Sequence, residues 1–455
     1  MTFGSFFKNI FGGDTASEAP AKPVAPPPAE TAPAKAPTAP AHVTMDRSVA
    51  NSILLREETL DSHNRLCGYR FSLRLADEQP EVATEPLFLE ALRSADIATF
   101  AQRRMAIIPL SPDALARGRH RFLAAPQAVF LMDLRQNAMP YGELLKCLKG
   151  VRDAGCRAAL SGVTLSADTI PLLEATDVVF LDLAEYSLPH FHSLARSLRT
   201  KFPKLTLAAE NVQSWPERRM CAAWGFEYCL GGFLATRDAD EKEGVIDQGR
   251  LAVIEMLNLL RGEAELSELG AVAKKDPGIA FQLLALANSA AAGLASPVSS
   301  LEQAIVVLGR ERLYRWLMVS MFRIGEVRDR DEALLEVALT RARFLETVAE
   351  GIQPKESCDE LFLVGLLSLF DILLAMPMPK VLSKMHLSEP LADVLLRSTG
   401  PYAQYLLLAL ALEKGRAAQA EQLAMTLGIA GRTLQSTSQK AFAWAQAALG
   451  DSSAE

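Results

Sequence analysis

The sequence predicts an alternating α/β unit followed by an all-α unit, behind an N-terminal arm with no core of its own. Three observations carry this. Short β-type runs alternate with amphipathic stretches between about residues 48 and 243. Beyond about residue 247 helical periodicity takes over and no convincing strand occurs. Residues 17–41 hold eight Pro and nine Ala in 25 positions, a composition that cannot bury enough apolar surface to fold. A length of 455 residues suits two or three domains. The boundaries fall at 1–45 (arm), 46–245 (α/β) and 246–455 (all-α).

The arm begins with MTFGSFFKNIFGG, whose Phe3, Phe6, Phe7, Ile10 and Phe11 share one helical face. In polyproline II the tract behind it spans roughly 75 Å. An apolar tip on a long spacer is either a docking peptide for a protein or a weak membrane-surface anchor. An end without a role is the plain alternative.

In the α/β unit the expected strands are 68–75, 105–110, 128–134, 157–165, 177–183, 204–212 and 228–233, with amphipathic helices at 141–153 and 188–201. This alternation implies a parallel sheet covered by helices, open or closed into a barrel. In a barrel the chemistry sits at the C-terminal strand ends. In the all-α unit the expected helices begin with 251–260, 266–275, 278–292, 300–308 and 310–322. Asp276-Pro277 places a capping acid before a proline at the first helical position, and Ser299 or Ser300 caps the next helix. Asn288 and Ser289 are expected to bond to nearby backbone and hold the loop that follows.

Composition narrows the function. A formal net charge of −7 and a pI near 5.6 give no support for the concentrated basic face that nucleic acid requires. Arg310, Arg312 and Arg315 around Trp316 read as a basic contact patch or, more simply, as a solvated helix face. The six cysteines (67, 147, 156, 221, 229 and 358) form no Cys-x-x-Cys pair, so neither a disulfide framework nor a zinc site is expected. His190 and His192 read as an exposed helix start. No run of about 18 apolar residues is long enough to span a bilayer, and the expectation is a cytoplasmic protein without cofactor or metal.

Residues 205–237, LTLAAENVQSWPERRMCAAWGFEYCLGGFLATR, resemble the last strand–helix–strand of cyclic di-GMP phosphodiesterases of the EAL type. The resemblance covers about 48–240 and implies a TIM-like barrel whose strand ends hold two divalent metals. Position by position the implied ligands are replaced. The namesake glutamate falls at Arg70, an Asn ligand at Pro109, an Asp-Asp pair at Ser161-Gly162, and the catalytic lysine at Phe180. The last strands keep Glu210 but carry Gln213 and Leu230 where a Glu and a Gln are expected. Asp133 matches one member of a further acidic pair, and Asp177 and Asp182 keep strand-end acids. Glu210 and Asp182 then read as structural carboxylates. Arg70, Phe180 and Trp215 are the candidate contacts if cyclic di-GMP still binds, with charge from the arginine and stacking faces from the rings.

Residues 276–309, DPGIAFQLLALANSAAAGLASPVSSLEQAIVVLG, resemble HDOD domains through Asp276, Pro277, Asn288, Ser289, Pro297 and Ser300. The resemblance runs from about 259 to 385 and implies kinship with HD-type phosphohydrolases, in which a His-Asp pair holds metal. Here that pair falls at Ser368-Leu369, and the first histidine ligand, expected near 339–342, is missing. The reading is a non-enzymatic bacterial signalling protein of EAL–HDOD organisation that works through protein partners. The alternative is a cyclic di-GMP receptor that binds without hydrolysis.

Overall fold

A computed structural model describes residues 52–75, 84–288, 298–325 and 327–449. The apolar tip and Pro/Ala tract, Ser289 and Pro297 lie outside the described residues. Eight strands close into one barrel in sequence order: β1 (Ser52–Asp61), β2 (Leu66–Leu75), β3 (Met105–Pro109), β4 (Ala128–Asp133), β5 (Arg157–Ser161), β6 (Val178–Asp182), β7 (Thr206–Glu210) and β8 (Tyr228–Leu230). All seven expected strands are present, most of them shorter at the C-terminal end. β1 was not expected.

β1 runs antiparallel to both neighbours, β2 and β8, while the other pairs are parallel. The reason is local. Only four residues join β1 to β2, too few for a crossover, which takes a dozen or more. Asp61 closes that turn by accepting the backbone N–H of His63 at 2.8 Å and of Arg65 at 2.9 Å. β2 meets β3 only over Gly68–Arg70, yet pairs with β1 as far as Leu75. The hairpin therefore projects beyond the barrel at its C-terminal end. At the other seam Gly231 has φ 146°, and a Cβ there would lie 1.9 Å from the carbonyl oxygen of Val212. Only glycine lets β7 and β8 close so tightly.

Two buried apolar clusters result. One fills the barrel with Met105, Ile107, Val129, Leu131, Phe180 and Leu230 among others. The other lies between barrel and covering helices and continues into the helical domain.

The helical domain starts at Gln248–Arg261, whose N-cap Asp247 accepts the N–H of Arg250. Leu266–Lys275 has the expected bounds. The helix expected over 278–292 is Pro277–Ala287, capped by Asp276 through the N–H groups of Gly278 and Ile279. Ser300 caps Leu301–Leu308, and Arg310–Ser320 follows. Asn288 clamps the loop between two helices, donating to the carbonyl of Val298 at 2.8 Å and accepting its N–H at 2.6 Å. Replacing Asn288 by Ala removes both bonds and should lower stability by about 1–2 kcal/mol, measurable as a shift of the urea midpoint.

The long helix Asp329–Ala349 lies at the centre of the domain, packed against Lys355–Leu367 and Gly431–Leu449. It also meets the barrel. Glu336, 1% exposed, accepts from Tyr69 Oη, from Arg104 Nη1 at 2.6 Å and from Gln446 Nε2. Phe442 stands edge-on to Tyr69 with centroids 5.1 Å apart. The last three helices, Ala403–Glu413, Ala417–Thr426 and Gly431–Leu449, fold back onto the projecting hairpin. Among the described residues no helix is long and apolar enough to cross a membrane.

Candidate functional site

The C-terminal strand ends bring Arg70, Pro109, Asp133, Ser161 and Glu210 around one cleft of about 630 Å³. Arg70 dominates it. Register places Glu57 of β1 opposite Arg70 of β2. The guanidinium donates through Nε and Nη2 to Glu57 at 2.8 and 2.6 Å, and through Nη1 to Glu210 at 2.5 Å. Burial alone would lower the pKa of Arg70, but Glu210 and Glu57 hold it above the ordinary value. Glu210 is 6% exposed, and burial raises its carboxyl despite the attraction of Arg70.

The other rim acids are also committed. Asp133 accepts the N–H of Arg135 and its Nε at 2.8 Å, while a second arm of Arg135 reaches Glu185. Asp182 accepts the N–H of Ala184 at 2.8 Å and Nδ2 of Asn211 at 2.7 Å. Gly162 follows β5 on the same rim. Asp177, in contrast, precedes β6 at the opposite end of the barrel, where it accepts the N–H of Ala158 at 2.9 Å. Among the described residues no group of three or more His, Cys, Asp or Glu is placed to hold a metal ion.

Two of the expected ligand contacts are corrected. Phe180 is 1% exposed and belongs to the layer that fills the barrel, beside Leu230 at 0%. Its ring is a packed floor, with no face open to a base. Trp215 is 4% exposed. Its Nε1 donates to the carbonyl of Thr236 at 3.0 Å, Phe233 abuts it edge-on at 5.2 Å, and Arg330 of the helical domain covers it at 4.8 Å. Gln213 lines a cavity between barrel and helical domain rather than this cleft. Sequence reasoning missed Glu57 and Arg135. The signal for Glu57 was the undetected strand β1, since a strand paired to β2 must set some residue opposite Arg70.

In the helical domain the chain leaves helix at the positions read as replacing a His-Asp pair. Lys355–Leu367 ends, Ser368 and Leu369 intervene, and Phe370–Leu373 resumes. Ser368 Oγ donates to the carbonyl of Gly365 at 2.7 Å and accepts from Arg341 Nη1 at 2.6 Å. Arg341, on the helix that contains 339–342, grips Glu413 with Nε and Nη2 at 2.8 and 2.6 Å. Leu369 is 2% exposed.

Of the arginines considered as a basic patch, Arg310 and Arg315 line one cleft, which they share with Glu311, Asp359 and Glu360. Arg315 is held by Glu346 at 2.7 Å and by Asp359, and Trp316 is fully buried. Arg310 and Arg312 are exposed. His190 and His192 are exposed as expected, stacked on Tyr186 at 5.5 Å and on Trp224 at 4.6 Å.

Comparison with known proteins follows this division. The sequence model of the HDOD domain matches residues 252–390. Cyclic di-GMP phosphodiesterase CdgJ of Vibrio cholerae is 21% identical over 306 residues, which cover 67% of this chain and 71% of that protein. The uncharacterized protein YuxH of Bacillus subtilis is 23% identical over 217 residues, covering 46% of this chain and 51% of its own length. Among solved structures, Bacillus subtilis YkuI, an EAL-domain protein in complex with substrate cyclic di-GMP and calcium, is similar at 13% identity. That likeness covers 53% of this chain and 66% of YkuI, with a TM-score of 0.36. The EAL domain of Xanthomonas citri FimX in complex with cyclic di-GMP is similar at 14% identity, over 43% and 92% of the two chains, with a TM-score of 0.34.

Proposed function

We propose that this chain, which joins an EAL-like barrel to an HDOD domain at residues 252–390, serves cyclic di-GMP signalling as a non-hydrolysing regulator that acts through protein partners. The observation that carries the reading is Arg70. Hydrolysis in EAL enzymes rests on two divalent ions that activate water and neutralise the developing charge. Such hard cations need several carboxylate or amide oxygens. The mouth offers a fixed guanidinium in contact with both Glu57 and Glu210. A cation already occupies the carboxylates that a metal would use, so the residues present do not fit a two-metal centre.

The helical domain supports the same reading. A network of Arg341, Ser368 and Glu413 fills the place where metal ligands were expected. Its surface carries isolated apolar side chains, Phe281 at 71% and Val306 at 62% exposed, which suit contact with another protein.

The test is turnover of cyclic di-GMP by the full chain with Mg²⁺ or Mn²⁺, alongside calorimetric titration of the nucleotide. No hydrolysis is expected in either metal. Metal-dependent linear product would overturn the proposal. Binding at low micromolar concentration without hydrolysis would make the protein a receptor, and Arg70→Ala should then abolish the heat. Absence of heat up to about 100 micromolar, which makes any binding weaker than about −5.5 kcal/mol, leaves partner contact as the mode of action.

A further inference from the structure

A cavity of about 280 Å³, open at one edge, lies where the barrel meets the helical domain, walled by Arg56, Glu58, Tyr69, Arg341, Glu413 and Phe442, with Glu58 itself half-buried. Strand alternation explains why an acid faces it. Glu57 points to the mouth and pairs with Arg70, so the next residue points to the opposite face of the sheet. Glu58 sits opposite Tyr69 in register, on the side that meets the helices.

The charged groups around Glu58 come from every element packed on that face. Its own strand supplies Arg56 and, behind the sheet, Glu57. β2 supplies Tyr69, whose hydroxyl is given to Glu336. The Asp329–Ala349 helix supplies Glu336, matched to Arg104, and Arg341, matched to Glu413. The Ala403–Glu413 helix ends at Glu413, followed by Lys414 at the exposed edge of the cavity. Gly431–Leu449 contributes Ser438, Phe442 and Gln446, all neutral. Arg56, the nearest cation in sequence, lies over the Phe442 ring at 4.3 Å and donates to Ser438 at 3.5 Å. The strong cations are thus spent on other acids, and Glu413 adds repulsion. Burial, with Glu413 and Glu57 adding to it, pushes the Glu58 carboxyl up to about 7 against the opposing pull of its own backbone N–H and of Arg56.

We propose that docking of the helical domain onto the β1–β2 hairpin is proton-linked through Glu58: the interface holds a proton there and loosens when Glu58 ionises. The sign follows from linkage. Exposed glutamate titrates near about 4.3, so between that value and neutrality the docked state binds more protons than the open one. Docking weakens as pH rises across this window and becomes constant above it. The inference stands independently of whether the mouth binds or cleaves a nucleotide.

Hydrogen exchange of the full chain, corrected for intrinsic rates, tests it in the wild type and in Glu58→Gln from pH 5 to 8.5. In the wild type the opening constant of β1 and of Gly431–Leu449 should rise by about 40-fold between pH 5 and 7 and by about a further twofold up to pH 8, then level off. Amides of Met105–Pro109, inside the barrel, should not follow. In Glu58→Gln the rise should vanish, and at pH 8 its interface should be better protected than the wild type's. Glu58→Leu, a second neutral variant, should likewise remove the pH dependence. A pH profile unchanged by both substitutions would overturn the proposal, as would a loss of protection spread evenly over barrel and bundle.

Discussion

Glu336→Ala should destabilise the protein by about 3–5 kcal/mol. Glu336 is 1% exposed and is shared by the two domains. It takes Arg104 and Tyr69 from the barrel and Gln446 from the last helix. Truncation leaves the Arg104 guanidinium, whose side chain is 13% exposed, without its counter-ion in an apolar setting. It also leaves the Tyr69 hydroxyl without its acceptor. The cost is that of the orphaned partners and exceeds the worth of the bonds themselves. Urea unfolding monitored by circular dichroism reads it as a lower midpoint. Glu336→Gln keeps an acceptor and most of the shape, so it should lose distinctly less. Equal losses for Ala and Gln would show that the missing charge beside Arg104, and not lost packing or a lost acceptor, sets the cost.

Gly365→Val should cost about 3 kcal/mol, near the top of the usual range for overpacking. Gly365 lies on Lys355–Leu367 where that helix crosses Asp329–Ala349. A Cβ added there would sit 2.3 Å from Cα and 2.5 Å from N of Ala342. Those are backbone atoms, so no rotamer change relieves the clash and the two helices must separate. Separation disturbs Arg341, the neighbour of Ala342, and with it the bonds to Ser368 and Glu413. Thermal unfolding should show a lower midpoint. The double variant Gly365→Val/Ser368→Ala should lose less than the sum of the two single variants, because the separated helices have already lost the Arg341–Ser368 bond. Strict additivity would show that the two sites are independent.

What the sequence disclosed and what it hid divide along physical lines. Strands β2 to β8 are buried between barrel interior and covering helices, so they read as short apolar runs bounded by turns. β1, SILLREETLD, did not read as a strand, because Glu57 faces the mouth while Arg56 and Glu58 belong to the interdomain cavity. A strand with charged partners on both sides loses the alternation that marks one face as wet. Helix starts were legible because caps are local: Asp276 and Ser300 each bond to backbone within three residues. Arg70 and Glu210 were placed at the mouth by strand-end motifs alone. Phe180 was misjudged because a motif position says which residue stands there, while barrel packing decides which way it points. Trp215 was misjudged because its cover, Arg330, lies 115 positions away and only the tertiary fold brings it near.

The hairpin that projects past the barrel has one more consequence. β1 starts at Ser52, which pairs with Leu75 at the far end of β2, about five residues, or roughly 17 Å, beyond the last β2–β3 pair. The chain therefore enters the fold from the mouth side, along a handle that the helical domain grips. Whatever precedes residue 52 is attached at the rim of the cleft, and the helical domain stands on that same rim. A bulky fusion joined directly before Ser52 would crowd the face where Arg70 lies, so binding experiments belong with no tag placed at that point.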